Sequence, residues 1–154
     1  MPRRLLIVWH SQGGGTRRML DAVLAGAKEA VGEAVELCVR PALEATPEDV
    51  LAADGMLLGT PENFGYMSGA LKYFFDRCYY PCLEHTQGRP YGVFIRAGND
   101  GSGALSSLRR IVTGLRWREV AAPVVLAGEL DDTGLAACAE LGATLAAGLD
   151  AGVF

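Results

Sequence analysis

The sequence predicts an α/β fold in which a doubly wound parallel sheet of five strands is covered by helices. Five short apolar runs alternate with longer segments whose apolar residues recur every three or four positions, the pattern of repeated βα units. Most of the runs are continuously apolar, as expected when helices cover both faces of a parallel sheet. A chain of 154 residues, 50% hydrophobic, suits a single domain, which we expect to span residues 1–154.

The strands define where a binding site is expected. The five predicted strands cover residues 4–10, 34–39, 55–60, 91–97 and 123–128. Right-handed crossovers between parallel strands leave two leading arrangements, the strand order 2-1-3-4-5 and a Rossmann half. Both bind ligands beyond the carboxyl ends of the strands. The chemistry is therefore expected in the loops that follow strands one, three and four.

Four of the five predicted helices carry their apolar residues on one face. The five helices cover residues 16–30, 46–53, a segment from about residue 68, 102–115 and 132–149. Pro47 suits the first turn of the second helix, and Ser102 is expected to cap the fourth. In the third helix, apolar residues from Met67 to Cys78 fall on one face. The longest irregular connection is predicted at residues 81–90.

Composition excludes several classes of function. The net charge is -4 without a long basic run, so we expect no nucleic-acid partner. No apolar segment reaches the ~18 residues of a membrane span, and the apolar run near the N-terminus is too short for a signal peptide. We therefore expect no membrane association and a cytoplasmic location. The four scattered cysteines lack the C-x2-C spacing of zinc or redox sites and are expected to be buried free thiols, with no metal site.

The loop after strand one, "HSQGGGTRR", predicts a monophosphate site. Three glycines let the backbone approach an anion, while Ser11 and Thr16 add hydroxyls at the positive end of the first helix. The loop lacks a P-loop lysine and the last glycine of G-x-G-x-x-G, so a triphosphate or dinucleotide fits less well. A bound anion would also offset the unfavourable interaction of Arg17 and Arg18 with the positive end of the helix dipole. The alternative is an ordinary glycine-rich turn with Thr16 as its cap.

The loops after strands three and four complete the predicted pocket. In "TPENFGYMSG", polar groups are followed by Phe64 and Tyr66, whose rings could line a flat ligand or pack over the sheet edge. The next loop, "AGNDGSG" from Ala97 to Gly103, is rich in glycine and contains no aromatic residue. His10 lies beside these loops, but a lone histidine there is more often structural. No catalytic residue is predicted.

Together the three loops resemble those of the flavodoxin-like flavoproteins, closest to the NADPH-dependent FMN reductase and flavodoxin-like quinone reductase branch. The first loop is similar to the S-x-T-G-x-T pattern, with Gly13 where the middle threonine is usual. The second follows the pattern P-x-x-F-G-x-x-S-G-x-L-K-x-F-x-D-R at Pro61, Phe64, Gly65, Ser68, Gly69, Leu71, Lys72, Phe74, Asp76 and Arg77. The resemblance implies the flavodoxin-like strand order 2-1-3-4-5 and a non-covalently bound FMN.

The resemblance also implies which residues bind the FMN. The phosphate would contact Ser11, Gln12, Gly13, Gly14, Gly15 and Thr16. The isoalloxazine would lie between Thr60, Pro61, Glu62, Asn63, Phe64 and Gly65 on one side and Ala97, Gly98, Asn99, Gly101 and Gly103 on the other.

Two function classes follow from a flavin site. The favoured one is an oxidoreductase that passes electrons from NAD(P)H to a quinone, a flavin or another small-molecule acceptor; the alternative is a one-electron carrier between proteins. A flavin-free scaffold is a third possibility. Residues 97–103 contain no aromatic side chain, which leaves one face of the flavin open. The net charge of -4 is also smaller than the strongly acidic surface expected of a one-electron carrier. The third helix carries three tyrosines in addition to its apolar stripe, which is more aromatic surface than one core face can bury: Tyr73, Tyr79 and Tyr80. This predicts a homodimer or higher homo-oligomer.

Overall fold

The computed structural model describes residues 2–154 as a parallel sheet between two layers of helices. The strands are β1 Arg3–Trp9, β2 Val35–Pro41, β3 Gly55–Asn63, β4 Tyr66–Met67, β5 Pro90–Arg96, β6 Arg118–Glu119 and β7 Val124–Leu126. The helices are α1 Gly15–Val31, α2 Pro47–Ala52, α3 Gly69–Cys82, α4 Ser102–Leu115 and α5 Asp132–Ala151.

The strand order confirms the predicted topology. It runs β2-β1-β3-β5-β6, with β7 also paired to β5, and all of these neighbours are parallel. The fifth position of the sheet is therefore shared by two short strands, whereas one strand over residues 123–128 was predicted. The carboxyl ends of β1, β3 and β5 are adjacent, which brings the three predicted loops to one edge.

Alternate residues of the central strands pack against opposite helical layers. Leu5 and Ile7 of β1 face α1 and α5, while Leu6 and Val8 face the layer of α2, α3 and α4. All four side chains are fully buried. This explains why the runs are continuously apolar, because both faces of each central strand need apolar side chains.

The segment after residue 60 is more regular than predicted. β3 continues to Asn63, and β4 pairs with it in antiparallel register, so Thr60–Asn63 is strand instead of loop. The two turn residues, Phe64 and Gly65, have positive φ angles of 53° and 70°, as in a type I′ hairpin turn. Such turns favour Asn-Gly, so Phe-Gly gave no hairpin signal in the sequence.

Two helix boundaries also differ from the predictions. α3 begins after its cap Ser68 and continues to Cys82, so Pro81 lies in its last turn and the predicted irregular segment at 81–90 is shorter. Ser102 is not the cap of α4 but its first residue, since Gly101 holds the cap position with φ 76°. The Asp100 carboxylate accepts hydrogen bonds from the Ser102 amide and hydroxyl at 2.9 and 2.7 Å, which lowers the pKa of Asp100.

The apolar stripe of α3 and the burial of four free cysteines are confirmed. Leu71, Phe74, Phe75 and Cys78 are buried in the same core as Met67. All four cysteines are free and buried, and burial raises the pKa of the Cys78 thiol to about 12. Within residues 2–154 there is no cluster of metal-ligating side chains and no helix long and apolar enough to cross a membrane. The predicted cytoplasmic location stays a prediction.

Candidate functional site at the carboxyl edge of the sheet

Hydrogen bonds tie the second loop region to both of its neighbours. The Asn63 side-chain amide donates to the Gln12 side-chain oxygen at 2.9 Å, which links the β3–β4 hairpin to the glycine loop. On the other side, the Glu62 carboxylate accepts from backbone amides of the loop before α4. The three loops named from the sequence therefore form one connected surface.

The hairpin tip also lies directly on the start of α4. A Cβ atom added to Gly103 would lie 1.8 Å from the carbonyl oxygen of Gly65, a distance that no side chain can tolerate. A Cβ at Gly98 would meet the Glu62 carbonyl oxygen at 3.5 Å, an ordinary contact. Gly103 is thus required for the close approach of the α4 backbone to the hairpin. Its contact with the flavin stays a prediction.

The glycine loop forms the N-terminus of α1. Gly14 occupies the cap position with φ 92°, a conformation that favours glycine, and no side chain caps the helix from that position. The Ser11 hydroxyl accepts from the amides of Gly14 and Arg17 at 3.2 and 3.3 Å, so it partly fills the centre of the loop. Helix N-termini present such amides to anions.

Thr16 provides a buried hydroxyl without a hydrogen-bond partner in the glycine loop. The residue is 1% exposed, and its hydroxyl oxygen has no hydrogen-bond partner in the described structure. The alternative in which Thr16 caps the helix is wrong, because Gly14 is the cap. A buried hydroxyl without a partner costs about 1–3 kcal/mol, so its retention here calls for an explanation.

A cavity of about 550 Å³ opens beside the glycine loop. Its lining combines backbone of the loop with a few charged and apolar side chains: Gly13, Gly14, Gly15, Thr16, Arg18, Pro61, Arg96, Glu129 and Leu130. Clefts of similar volume also lie along β7 and beside β2. Only the first of these three cavities includes the glycine loop, so it is the one that fits the predicted phosphate site.

Arg96 is a residue of this cavity that sequence reasoning missed. It ends β5, and its guanidinium donates to the carbonyl oxygens of Leu126, at 3.0 Å, and Gly128. Its side chain crosses Gly15 so closely that a Cβ there would lie 2.8 Å from the Arg96 Nε. Within residues 2–154 no carboxylate lies within ion-pair distance of this guanidinium. The sequence contained one indication of this role, because Arg96 is the only charged residue in the otherwise apolar run "YGVFIRA".

The two arginines of the first helical turn differ in their surroundings. Arg17 forms an ion pair with Asp21 at 3.2 Å and lies over the Trp9 ring, 5.4 Å from its centroid. Arg18 lines the cavity. The argument that an anion would relieve both cations therefore applies to Arg18, because Arg17 already has a partner.

The aromatic side chains of the second region are open to solvent. Phe64 is fully exposed and Tyr66 is 42% exposed, so packing over the sheet edge does not account for Phe64. Thr60 is the opposite case. Its buried hydroxyl donates to the Pro61 carbonyl at 2.9 Å and accepts from the Ser68 amide at 3.0 Å, so this side chain supports the loop from inside.

The third loop presents backbone to the site. Gly98 and Asn99 are exposed, while Ala97 is buried and its amide donates to the Leu126 carbonyl at 2.9 Å. His10 lies near this edge. Its backbone amide donates to Gly59 at 3.0 Å, and its buried Nδ1 has no partner in the described structure. Nothing in these contacts gives His10 a catalytic role.

The fold and this arrangement of loops define a flavodoxin-like α/β protein. The structure superimposes on a flavodoxin from the domain Archaea with a TM-score of 0.82 at 18% identity, over 95% of this chain and 98% of that one. Residues 34–132 match the family described as NADPH-dependent FMN reductase. The chain belongs to this family, which confirms the resemblance drawn from the loop motifs.

Two curated relatives illustrate the range of the similarity. A protein of Aquifex aeolicus named flavodoxin is 33% identical over 110 residues, 71% of this chain and 58% of the relative. Quinone-oxidoreductase QR2 of Triphysaria versicolor is 27% identical over 136 residues, 75% of this chain and 65% of the relative. The matches thus span less than two thirds of the length of either relative.

Proposed function

We propose that the chain binds FMN non-covalently and passes electrons from NAD(P)H to a small-molecule acceptor such as a quinone or a flavin. The observation that carries the proposal is the unpartnered hydroxyl of Thr16, buried at the positive end of α1 beside a cavity lined by Arg18 and Arg96. A phosphate oxygen is an acceptor of the right kind for this hydroxyl. Membership of the NADPH-dependent FMN reductase family supports FMN as the ligand whose phosphate binds there.

The residues present fit the FMN phosphate. The amides of the glycine loop and the Thr16 hydroxyl would donate to the phosphate. The Arg18 and Arg96 guanidinium groups would supply opposite charge and outnumber the one carboxylate of the lining, Glu129. Gly13 and Gly14 leave open space where side chains would otherwise stand, since an added Cβ would meet nothing within 4 Å. The Ser11 hydroxyl can rotate to donate to the phosphate while it keeps its place in the loop.

The isoalloxazine would lie between the β3–β4 hairpin and the loop before α4. Pro61 and Phe64 would offer apolar surface. The carbonyl groups of the exposed residues Gly98 and Asn99, whose amides already bind Glu62, would offer hydrogen-bond acceptors to the polar edge of the ring. When bound, FMN supplies the hydride-accepting and electron-donating chemistry. The protein supplies position and electrostatics, which is why we assign no acid or base residue.

The choice of enzyme over carrier rests on the third loop and on the relatives. Residues 97–103 contain no aromatic side chain to cover the ring, so a nicotinamide or a quinone could stack there. The similarity to a quinone oxidoreductase supports this choice. The alternative, one-electron transfer between proteins, is supported by the similarity to the Aquifex aeolicus flavodoxin.

A homodimer or higher homo-oligomer is part of the proposal. Tyr73 and Tyr80 on α3 are 51% and 78% exposed, and Phe64 and Tyr66 lie on the neighbouring hairpin. These exposed aromatic side chains are the ones that a second copy would cover near the flavin edge. Light scattering at micromolar concentration tests this, and a monomer would contradict it.

The experiment that tests the proposed function combines flavin titration with turnover. We expect FMN fluorescence to be quenched on binding, with weaker binding of riboflavin because it has no phosphate. The FMN-loaded protein should oxidise NADPH or NADH when a quinone is added. Equal affinity for FMN and riboflavin would refute the phosphate site, and FMN binding without NAD(P)H oxidation would favour the carrier.

A further inference from the structure

The Glu62 carboxylate occupies a position that its place in the sequence does not suggest. One of its oxygens, Oε1, accepts hydrogen bonds from the backbone amides of Gly98, Asn99 and Gly101 at 3.0, 2.7 and 3.3 Å. These amides belong to the loop before α4, about 36 to 39 residues further along the chain. The side chain of Glu62 therefore connects the second and third loops of the site.

The electrostatics of this contact favour a carboxylate. Three amides converge on one oxygen, and Gly101 is the cap residue of α4, so the positive end of that helix adds to the attraction. Bonds from amides to a charged acceptor are about twice as strong as neutral ones. Among the described residues, no other side-chain hydrogen bond joins the hairpin to residues 97–101.

We infer that Glu62 is a positioning residue that holds the third loop against the hairpin, so that the cavity for the flavin ring is formed before FMN binds. The inference rests on the proposed function for the identity of the ligand. This positioning role takes the place of the direct contact between the Glu62 side chain and the flavin that the resemblance implied, because Oε1 is already bound by backbone amides. Glu62 then affects binding of the ring and not of the phosphate.

The first test needs no flavin. We expect Glu62→Ala to raise amide hydrogen exchange at Gly98, Asn99 and Gly101 at least about tenfold in the apo protein, since each loses a charge-assisted bond. Glu62→Gln keeps an acceptor oxygen and should give an intermediate increase. Glu29→Ala removes the same charge from an exposed position on α1 and serves as the control. Unchanged exchange in Glu62→Ala would overturn the inference.

The second test separates the ring from the phosphate. Glu62→Ala should weaken FMN and riboflavin by the same factor, about tenfold or less, because both ligands carry the ring. A loss confined to FMN would overturn the inference. Thermal melts identify any variant that fails to fold, in which case Glu62→Gln decides by the same two measurements. If wild-type protein binds no flavin, the proposed function fails, while the exchange experiment still tests the loop contact.

Discussion

Replacement of Thr16 by valine should move stability and FMN affinity in opposite directions. Valine keeps the branched shape of threonine and replaces the hydroxyl, which is buried without a partner in the described structure, by a methyl group. Relief of an unpaired buried polar group is worth about 1–3 kcal/mol, so the apo variant should be more stable than wild type. At about 2–4 °C per kcal/mol for a chain of this size, the melting temperature should rise by several degrees.

The same substitution should weaken FMN. A hydrogen bond to a charged group contributes about 1.5–3 kcal/mol, which corresponds to a loss of about 10-fold to 150-fold in affinity. Riboflavin has no phosphate, so its affinity should stay unchanged. Thermal melts of the two apo proteins and fluorescence titrations of each with both flavins supply the measurements.

Two results would refute this reasoning. If Thr16→Val left FMN affinity unchanged, the hydroxyl would not contact the phosphate and the glycine loop would be only a turn. If the apo variant melted below wild type, the hydroxyl would have a partner in the apo protein. Thr16→Ser provides the matched control, because it retains the hydroxyl and should bind FMN within a few-fold of wild type.

The further predictions concern the hairpin, the core and the thiols. Phe64→Ala should weaken FMN or alter turnover with little change in melting, whereas Phe74→Ala should cost about 3–5 kcal/mol of stability as a core truncation; the reverse result in paired melts and titrations would show that the hairpin is structural. Gly103→Ala should separate the hairpin from α4 because of the clash with Gly65, seen as weaker binding of both flavins; unchanged titrations would contradict this packing. Burial raises the pKa of Cys78 to about 12, so iodoacetamide at pH 8 should label it only after denaturation, and rapid labelling by mass spectrometry would contradict its burial.

Sequence reasoning recovered the features that depend on local pattern. The apolar runs predicted the central strands, and the stripe of α3 predicted burial of Phe74 and Phe75. The edge of the sheet was less accurate. The apolar run of β7 was recognised, but β6 consists of two exposed charged residues and has no apolar signal. The hairpin was missed because its turn is Phe64-Gly65.

The site illustrates a different limit. The three loops could be placed together because parallel topology brings the carboxyl ends of strands to one edge. The contacts made by each side chain could not be derived, because they depend on distant residues. Glu62 was predicted to contact the flavin, and the structure shows its carboxylate bound to backbone amides from Gly98 onward. Arg96 was predicted only as part of a strand, and it also lines the cavity.

The distribution of charge at this edge supports one orientation for the flavin. Two helix N-termini, those of α1 and α4, could each attract an anion. The amides before α4 already bind the Glu62 carboxylate, so a phosphate there would have to displace a charged group of the protein. At α1, by contrast, the part of the chain that the structure describes provides no partner for the Thr16 hydroxyl and no carboxylate within ion-pair distance of Arg96. A ligand with one phosphate therefore fits with that phosphate at α1 and its ring between the hairpin and α4, which favours FMN over a dinucleotide with two phosphates.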